Sequence, residues 1–428
     1  MIKNFFFALI YASSVHYAYV VYINPTFEYA HYTYLNFSTS SAIAAYFFSV
    51  LPLFFYRNIA SPSKFIVSLI YVFSYVPIQL TLLFTVPLLP IDLLLLQCSL
   101  FVSMSVIFYS SNSKSNISTE KYLYGFKIID KLMIILTVIS IVFVIYYNFS
   151  HMRIVSFEDV YSLRSDASSR EQSIFGAYLV SWLSYCFISY LYARGVVYKK
   201  VTFILLGLIA SILLYAATGA KFSILLLPVT WGFYKLWGNG KNFLLKLLLI
   251  SIIMIFTLVI IVPNEGIGMW MKSIVLVRVF GTTGWVAAKY YEFFGSEGLT
   301  YYSHIGIINS FTGIYPYAEI SLGQAIGLNY SGSTEANFNA GFWASDGFAA
   351  WGAIGILFVT PFVSLMLILI NRNMRYFDSR FAVLWLIGYV TALLNLPFTT
   401  ALISGGGALI ILFSYCFAAS IKSTIKSK

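Results

Sequence analysis

"NFFFALIYASSVHYAYVVYI" runs from Asn4 to Ile23 without an aspartate, glutamate, lysine or arginine, and its reading decides the fold. An α-helix needs roughly 20 predominantly apolar residues to cross a hydrocarbon core about 30 Å thick. The stretch has that length and lacks a small-residue cleavage site, so it reads as a first membrane helix and not as a removed leader.

Outward from it, comparable runs recur to the end of the chain. The 428 residues are 60% hydrophobic and only 10% charged, a balance that excludes an ordinary soluble domain. The expectation is one all-α polytopic integral membrane domain over residues 1–428. About twelve transmembrane helices are predicted near 4–22, 39–56, 65–86, 91–110, 131–150, 173–193, 201–218, 221–237, 243–262, 349–370, 381–400 and 405–420. The three cysteines, Cys98, Cys186 and Cys416, fall inside apolar runs with no metal-like spacing and no disulfide framework. The pI of 9.3 does not point to nucleic acid, because the basic residues sit in short connections between spans. No phosphate-binding loop, dinucleotide fingerprint, HExxH pair or Cys/His metal set is present, so no metal and no cofactor is expected.

Charge orients the chain. With the N-terminus in the cytoplasm, 19 of the 26 lysines and arginines fall on the cytoplasmic side. Seven remain outside: Arg153, Arg164, Arg170, Lys221, Lys272, Arg278 and Lys289. The positive-inside rule then places both termini in the cytoplasm. Acidic residues run the other way, with 12 of 15 outside. The outer cations are thus a minority on a mostly acidic face.

Two outer loops stand out, at 151–172 and 263–348, the second far longer than a simple connection. The first carries "VYSLRSDASSREQ", with Arg164 and Arg170. In the second, Pro263 ends the ninth span, and a following helical pattern puts Arg278, Thr282, Lys289 and Glu292 on one edge. Such a helix lies at the membrane surface or packs on the bundle, and its cations either serve a site or snorkel to headgroups. Further on, Tyr301, Tyr302, Tyr315, Tyr317, Tyr330, Phe338, Phe342 and Trp343 read either as stacking platforms for sugar rings or as an interfacial aromatic belt. Ser345 and Asp346 read as N-cap residues of the tenth span. The acids and bases of this face include His304, Glu319, Glu335 and Asp346, and spacing singles out none of them. Lys221, in "ATGAK", reads as a helix-end lysine or a phosphate contact, and "SGGGA" at Ser404–Ala408 as a backbone nest or a loosened helix end.

The layout resembles the Wzy-type oligosaccharide repeat-unit (O-antigen) polymerases. The pieces that carry the resemblance are "YSLRSDASS" around Arg164, "TGAKFSI" around Lys221, "LVRVFGTTGW" around Arg278 and "EANFNAGFWASDGFAAWGAIG" leading into the tenth span. Relatives often carry arginine where Lys221 stands, and a lysine binds as a point charge and not as a fork.

The resemblance implies a GT-C-like membrane glycosyltransferase bundle with a large periplasmic loop, in a bacterial inner membrane. Its donor and acceptor would both be undecaprenyl-diphosphate-linked oligosaccharides, with membrane lipid and a chain-length regulator as further candidate partners. The growing glycan would pass from its diphosphate carrier to the sugar hydroxyl of an incoming unit on the periplasmic side. Arg164, Arg278, Arg170 and Lys221, with Lys289 on the Arg278 helix edge, are the expected diphosphate contacts. Glu319, Asp346, Glu335 or His304 is the expected general base. The rivals are an O-antigen ligase, which shares the donor, and a lipid-linked oligosaccharide flippase or other transporter.

Overall fold

The computed structural model describes residues 2–113, 126–155, 173–318, 320–339 and 342–426, without the side chains of 126, 174, 342, 343 and 421–426. Among the described residues the secondary structure is helical, with no strand. In chain order the helices are Ile2–Ala30 (α1), Thr39–Phe55 (α2), Pro62–Thr85 (α3), Pro90–Ser110 (α4), Lys127–His151 (α5), 174–198 (α6), Val201–Thr218 (α7), Lys221–Trp237 (α8), Phe243–Ile261 (α9), 266–297 (α10), Gly306–Thr312 (α11), Leu322–Ser331 (α12), Phe342–Met374 (α13), Ser379–Asn395 (α14), Phe398–Ile403 (α15) and Gly407–Lys426 (α16).

Eight of these stretches are long and apolar enough to cross a membrane: α1, α3, α4, α5, α7, α9, most of α13, and α15 with α16. The helices α2 and α14 are apolar but shorter. The two remaining expected spans coincide with α6 and α8. The chain is therefore a polytopic helical membrane protein by length and composition. Its packing fits lipid as the outer solvent. α3 is buried along nearly its whole length, from Phe65 to Phe84. α9 turns Leu244, Leu247, Leu248 and Ile255 inward and exposes Ile250, Ile253, Ile260 and Ile261. A helix that is apolar all round belongs in a core or a membrane.

Contacts sort the helix termini into two ends. Phe5 packs on Phe54, Asn112 bonds the Arg57 amide and the Lys64 ammonium, Asn371 bonds the Ser63 amide, and Phe377 stacks on Phe417. This is the basic end. At the other, the loop end, Trp285 donates to His31 O, Leu35 N to Phe84 O, Arg153 N to Ala216 O and Trp182 to Ile403 O. The termini alternate between the two ends as the expected spans require.

The described residues of 263–348 include α10, α11, α12 and the first turns of α13. α9 does stop just before Pro263, at Ile261. α10 packs on the bundle, with Thr283–Tyr290, Phe293 and Phe294 buried. Gly284 makes this approach possible, since a Cβ there would lie 2.3 Å from the Thr81 hydroxyl.

α13 is broken. Trp351 (φ −146°) and Gly352 (φ 60°, ψ −140°) leave the helical region, so 342–350 is a short helix folded ahead of the long one. The Gly352 conformation is open to glycine and costly for other residues. The break frees carbonyls, and the segment before α11 captures them. Ala349 O accepts from Thr300 N (2.8 Å), and Ala350 O from Tyr301 N (3.1 Å). The Tyr302 hydroxyl donates to Gly355 O. To reach them, Tyr301 and Tyr302 both take left-handed backbone angles, φ 49° and 64°. Consecutive non-glycine residues in that region cost of order 1 kcal/mol or more each, and such strain clusters at functional sites.

Candidate functional site

The clamp on α13 brings His304 and Asp346 together. Their side chains are 5% and 3% exposed, with His304 Nε2 3.5 Å from Asp346 Oδ1. On the other ring nitrogen, His304 Nδ1 lies 2.8 Å from Thr300 Oγ1, whose hydroxyl donates to Ala349 O at 3.1 Å. A hydroxyl has one proton. With that proton on Ala349 O, Thr300 accepts from Nδ1–H, and Nε2 carries a lone pair towards the carboxylate. Asp346 Oδ2 accepts from the Phe398 amide, which leaves Oδ1 and Nε2 without a full hydrogen bond among the described residues. Burial, reinforced by the Asp346 charge, raises the neighbouring Tyr302 phenol above its ordinary range.

Asp346 therefore does not cap its own helix as expected. The helix begins four residues earlier, at Phe342, and the carboxylate reaches across to the first turn of α15. It also lines an apolar cavity of about 610 Å³ with Tyr302, Trp351, Phe362, Phe398 and Leu402.

Arg278 lies in a second place. It projects from a π-helical turn of α10, Ser273–Gly281, into an apolar groove of about 650 Å³. Phe222, Val229, Leu236, Leu247, Met254 and Leu394 give the groove hydrocarbon walls, and among the described residues Arg278 is the one charged residue lining it. The guanidinium is exposed and has no hydrogen bond or ion pair among the described residues, and its charge reaches the Tyr32 phenol. π-helical turns often sit where function needs a side chain re-aimed. Asn395 lines this groove, and Phe398 and Thr399 line the Asp346 cavity. One turn of chain, between α14 and α15, thus separates the two.

The other expected site residues divide. Arg164, Arg170 and Glu319 lie outside the described residues. Lys289 is no free phosphate contact. It is 6% exposed, its Nζ lies 2.8 Å from Glu292 Oε2 and it sits over the Tyr330 ring at 5.0 Å. Tyr330 donates to the same carboxylate oxygen. Lys221 is the half-buried first residue of α8, beside Phe222 of the groove wall. Glu335 is exposed on the turn after α12, and its described hydrogen bond is a backbone one to Ser333, away from His304. The aromatic loop is mainly scaffold: Tyr315 and Tyr317 donate to Ile320 O and Gly298 O. The "SGGGA" run is a packed turn and not an open nest, since a Cβ on Gly407 would lie 2.5 Å from the Tyr389 ring. The three cysteines are free.

Sequence reasoning missed Thr300, which holds the histidine, and the Phe398 amide, which holds the aspartate. The pair Tyr301–Tyr302 beside His304 was the one local signal. No protein-family model, curated protein or solved structure matches the chain.

Proposed function

We propose that the protein is a membrane glycosyltransferase that polymerises oligosaccharide units carried on undecaprenyl diphosphate. The observation that carries this reading is Arg278, a guanidinium without an ion-pair partner among the described residues, set in a long apolar groove. That pairing of hydrocarbon wall and fork-shaped cation suits an isoprenoid diphosphate, whose oxygens a guanidinium can bind in bidentate fashion. Arg278 then stabilises the charge that develops on the departing diphosphate. Asp346, with His304 behind it, accepts the proton of the attacking sugar hydroxyl. The bond from anomeric carbon to phosphate oxygen breaks, and a glycosidic bond to the acceptor oxygen forms. The sugar–diphosphate bond supplies the driving force.

The loop end is the periplasmic end in this reading, and the basic end faces the cytoplasm of a bacterial inner membrane. Cysteine labelling tests the orientation. With an impermeant reagent, Ser168→Cys reacts from the periplasm and Asn116→Cys does not, and reversal sinks the assignment. The decisive experiment supplies purified protein with lipid-linked oligosaccharide units. A ladder of lengthened lipid-linked chains supports polymerisation. Transfer only to a different acceptor assigns a ligase, and no transfer with lipid movement between leaflets assigns a flippase. In the same assay Arg164→Ala, the leading contact implied by the resemblance, is expected to lose polymer more than Arg170→Ala.

A further inference from the structure

The Asp346 cavity continues past mid-depth. Leu369, Leu402 and Ile411 line both it and a second hollow of about 580 Å³, which Arg372, Asn373, Leu412 and Tyr415 close at the basic end. A smaller hollow of about 210 Å³ shares Arg372, Asn373 and Tyr415 and adds Tyr376. Together they make a seam between α13 and α16. Asn373, 4% exposed, fixes its edge by donating to Ile411 O at 3.1 Å, and the Phe377–Phe417 stack closes the base.

Among the described residues the seam has one charge at each extreme: a carboxylate at the loop end and Arg372 at the basic end. Arg372 is exposed and has no hydrogen bond or ion pair among the described residues. Its neighbour Arg375 is engaged, lying 4.7 Å over the Tyr376 ring with Nη2 donating to that phenol at 2.6 Å. The Tyr376 hydroxyl proton is thereby left to donate outward. Tyr415 is 60% exposed beside it.

We propose that this seam is a binding site for an anionic diacyl phospholipid of the leaflet at the basic end. The phosphate sits on Arg372, with the Tyr376 and Tyr415 hydroxyls as donors. An acyl chain follows Leu412, Ile411, Leu402 and Leu369 towards mid-depth. Charge decides the direction: a phosphate is drawn to Arg372 and repelled by Asp346. The site rests on the membrane-protein reading alone and stands whether or not the protein transfers sugars.

The test is native mass spectrometry of the purified full chain in mild detergent. Phosphatidylglycerol and phosphatidylcholine of identical acyl chains are titrated in parallel. The protein is expected to retain phosphatidylglycerol in preference. Arg372→Gln should reduce that preference about tenfold, the equivalent of ~1.4 kcal/mol. Arg380→Gln should leave it intact, since this equally basic neighbour already donates to Gly238 O. Leu412→Trp, at a position 52% exposed and so safe for folding, should reduce retention of both lipids by filling the seam. Equal retention of the two lipids by the native chain overturns the proposal. So does full phosphatidylglycerol retention in Arg372→Gln or in Leu412→Trp, or an equal loss in Arg380→Gln. Undecaprenyl phosphate that binds in the seam and excludes phosphatidylglycerol would assign it to an isoprenoid instead.

Discussion

The Asp130–Arg194 region of the basic end and the Arg278 and Asp346 region of the loop end treat their charges differently. At the basic end Arg194 holds Asp130 with two bonds, Nε at 2.8 Å and Nη2 at 2.5 Å, while Tyr190 donates to the same carboxylate at 2.7 Å and Tyr198 lies under the guanidinium. Lys64 is 1% exposed, bonded to Asn112 and set over the Tyr56 ring. At the loop end Arg278 has no ion pair among the described residues, and His304 and Asp346 stand 3.5 Å apart without a full hydrogen bond. A charge whose bonding capacity is spent inside the fold serves the fold. A charge left with capacity, beside a cavity, is available to a ligand. Position on the outer side alone does not decide: Lys289 lies there too, and its capacity is spent on Glu292.

The contrast is easiest to break at the proton acceptor. If Asp346 is the proposed general base, Asp346→Asn, which keeps an oxygen for the Phe398 amide but cannot take a proton, should lower polymer formation in the proposed reaction by about 10²–10⁴ with the fold retained, the usual range for a general base. Activity near that of the parent chain would return Asp346 to a purely structural bond. The opposite signature belongs to Arg194→Ala. Asp130 then keeps the Tyr190 hydroxyl and Lys200 at 3.6 Å but loses both guanidinium bonds, which should cost about 1–3 kcal/mol of stability, read as lost folded protein in detergent, with normal turnover per folded molecule. A specific loss of turnover there would collapse the distinction between the ends. Arg278→Ala comes next, with about 10²–10³ in rate, or 2.7–4 kcal/mol. Arg278→Lys should recover little of it, because the charge stays and the fork goes. Gly352→Ala forces a side chain into φ 60°, ψ −140°, and should lower thermal stability by about 1–3 kcal/mol while weakening activity through the displaced Thr300 clamp. Lys289→Met should have the smallest effect on turnover, and a loss as large as that of Arg278→Ala would show that a paired cation can still serve the site.

What was legible in the sequence follows from what is local. Apolar run length located the long helices, eight of which are long and apolar enough to cross a membrane, since a span is written in about 20 consecutive residues. The charge count separated the two ends because each connection contributes its own lysines and arginines. The break in α13 was hidden, because "AAWGAIG" is apolar throughout and reads as uninterrupted helix; only the backbone at Gly352 records the turn. Arg278 was singled out by sign and side, but its lack of a hydrogen bond or ion pair among the described residues is a tertiary fact. The Lys289–Glu292 pair is three residues apart and could have been read as a helix-face ion pair. The bonds Asp130–Arg194 and Asp346–Phe398 join residues 64 and 52 positions apart, and no window along the chain contains them.

The turn between α14 and α15 has one further consequence. Asn395 belongs to the Arg278 groove, and Phe398 to the Asp346 cavity and to the carboxylate itself. The short segment from Asn395 to Phe398 joins a wall of one space to a wall of the other. If this segment couples occupancy on the two sides, the coupling is reciprocal: a donor analogue that tightens acceptor binding by some factor is itself tightened by the acceptor by the same factor, typically 5–150-fold for couplings of 1–3 kcal/mol. Lengthening that turn by a glycine would then bring the coupling factor towards one while leaving each affinity, measured alone, unchanged.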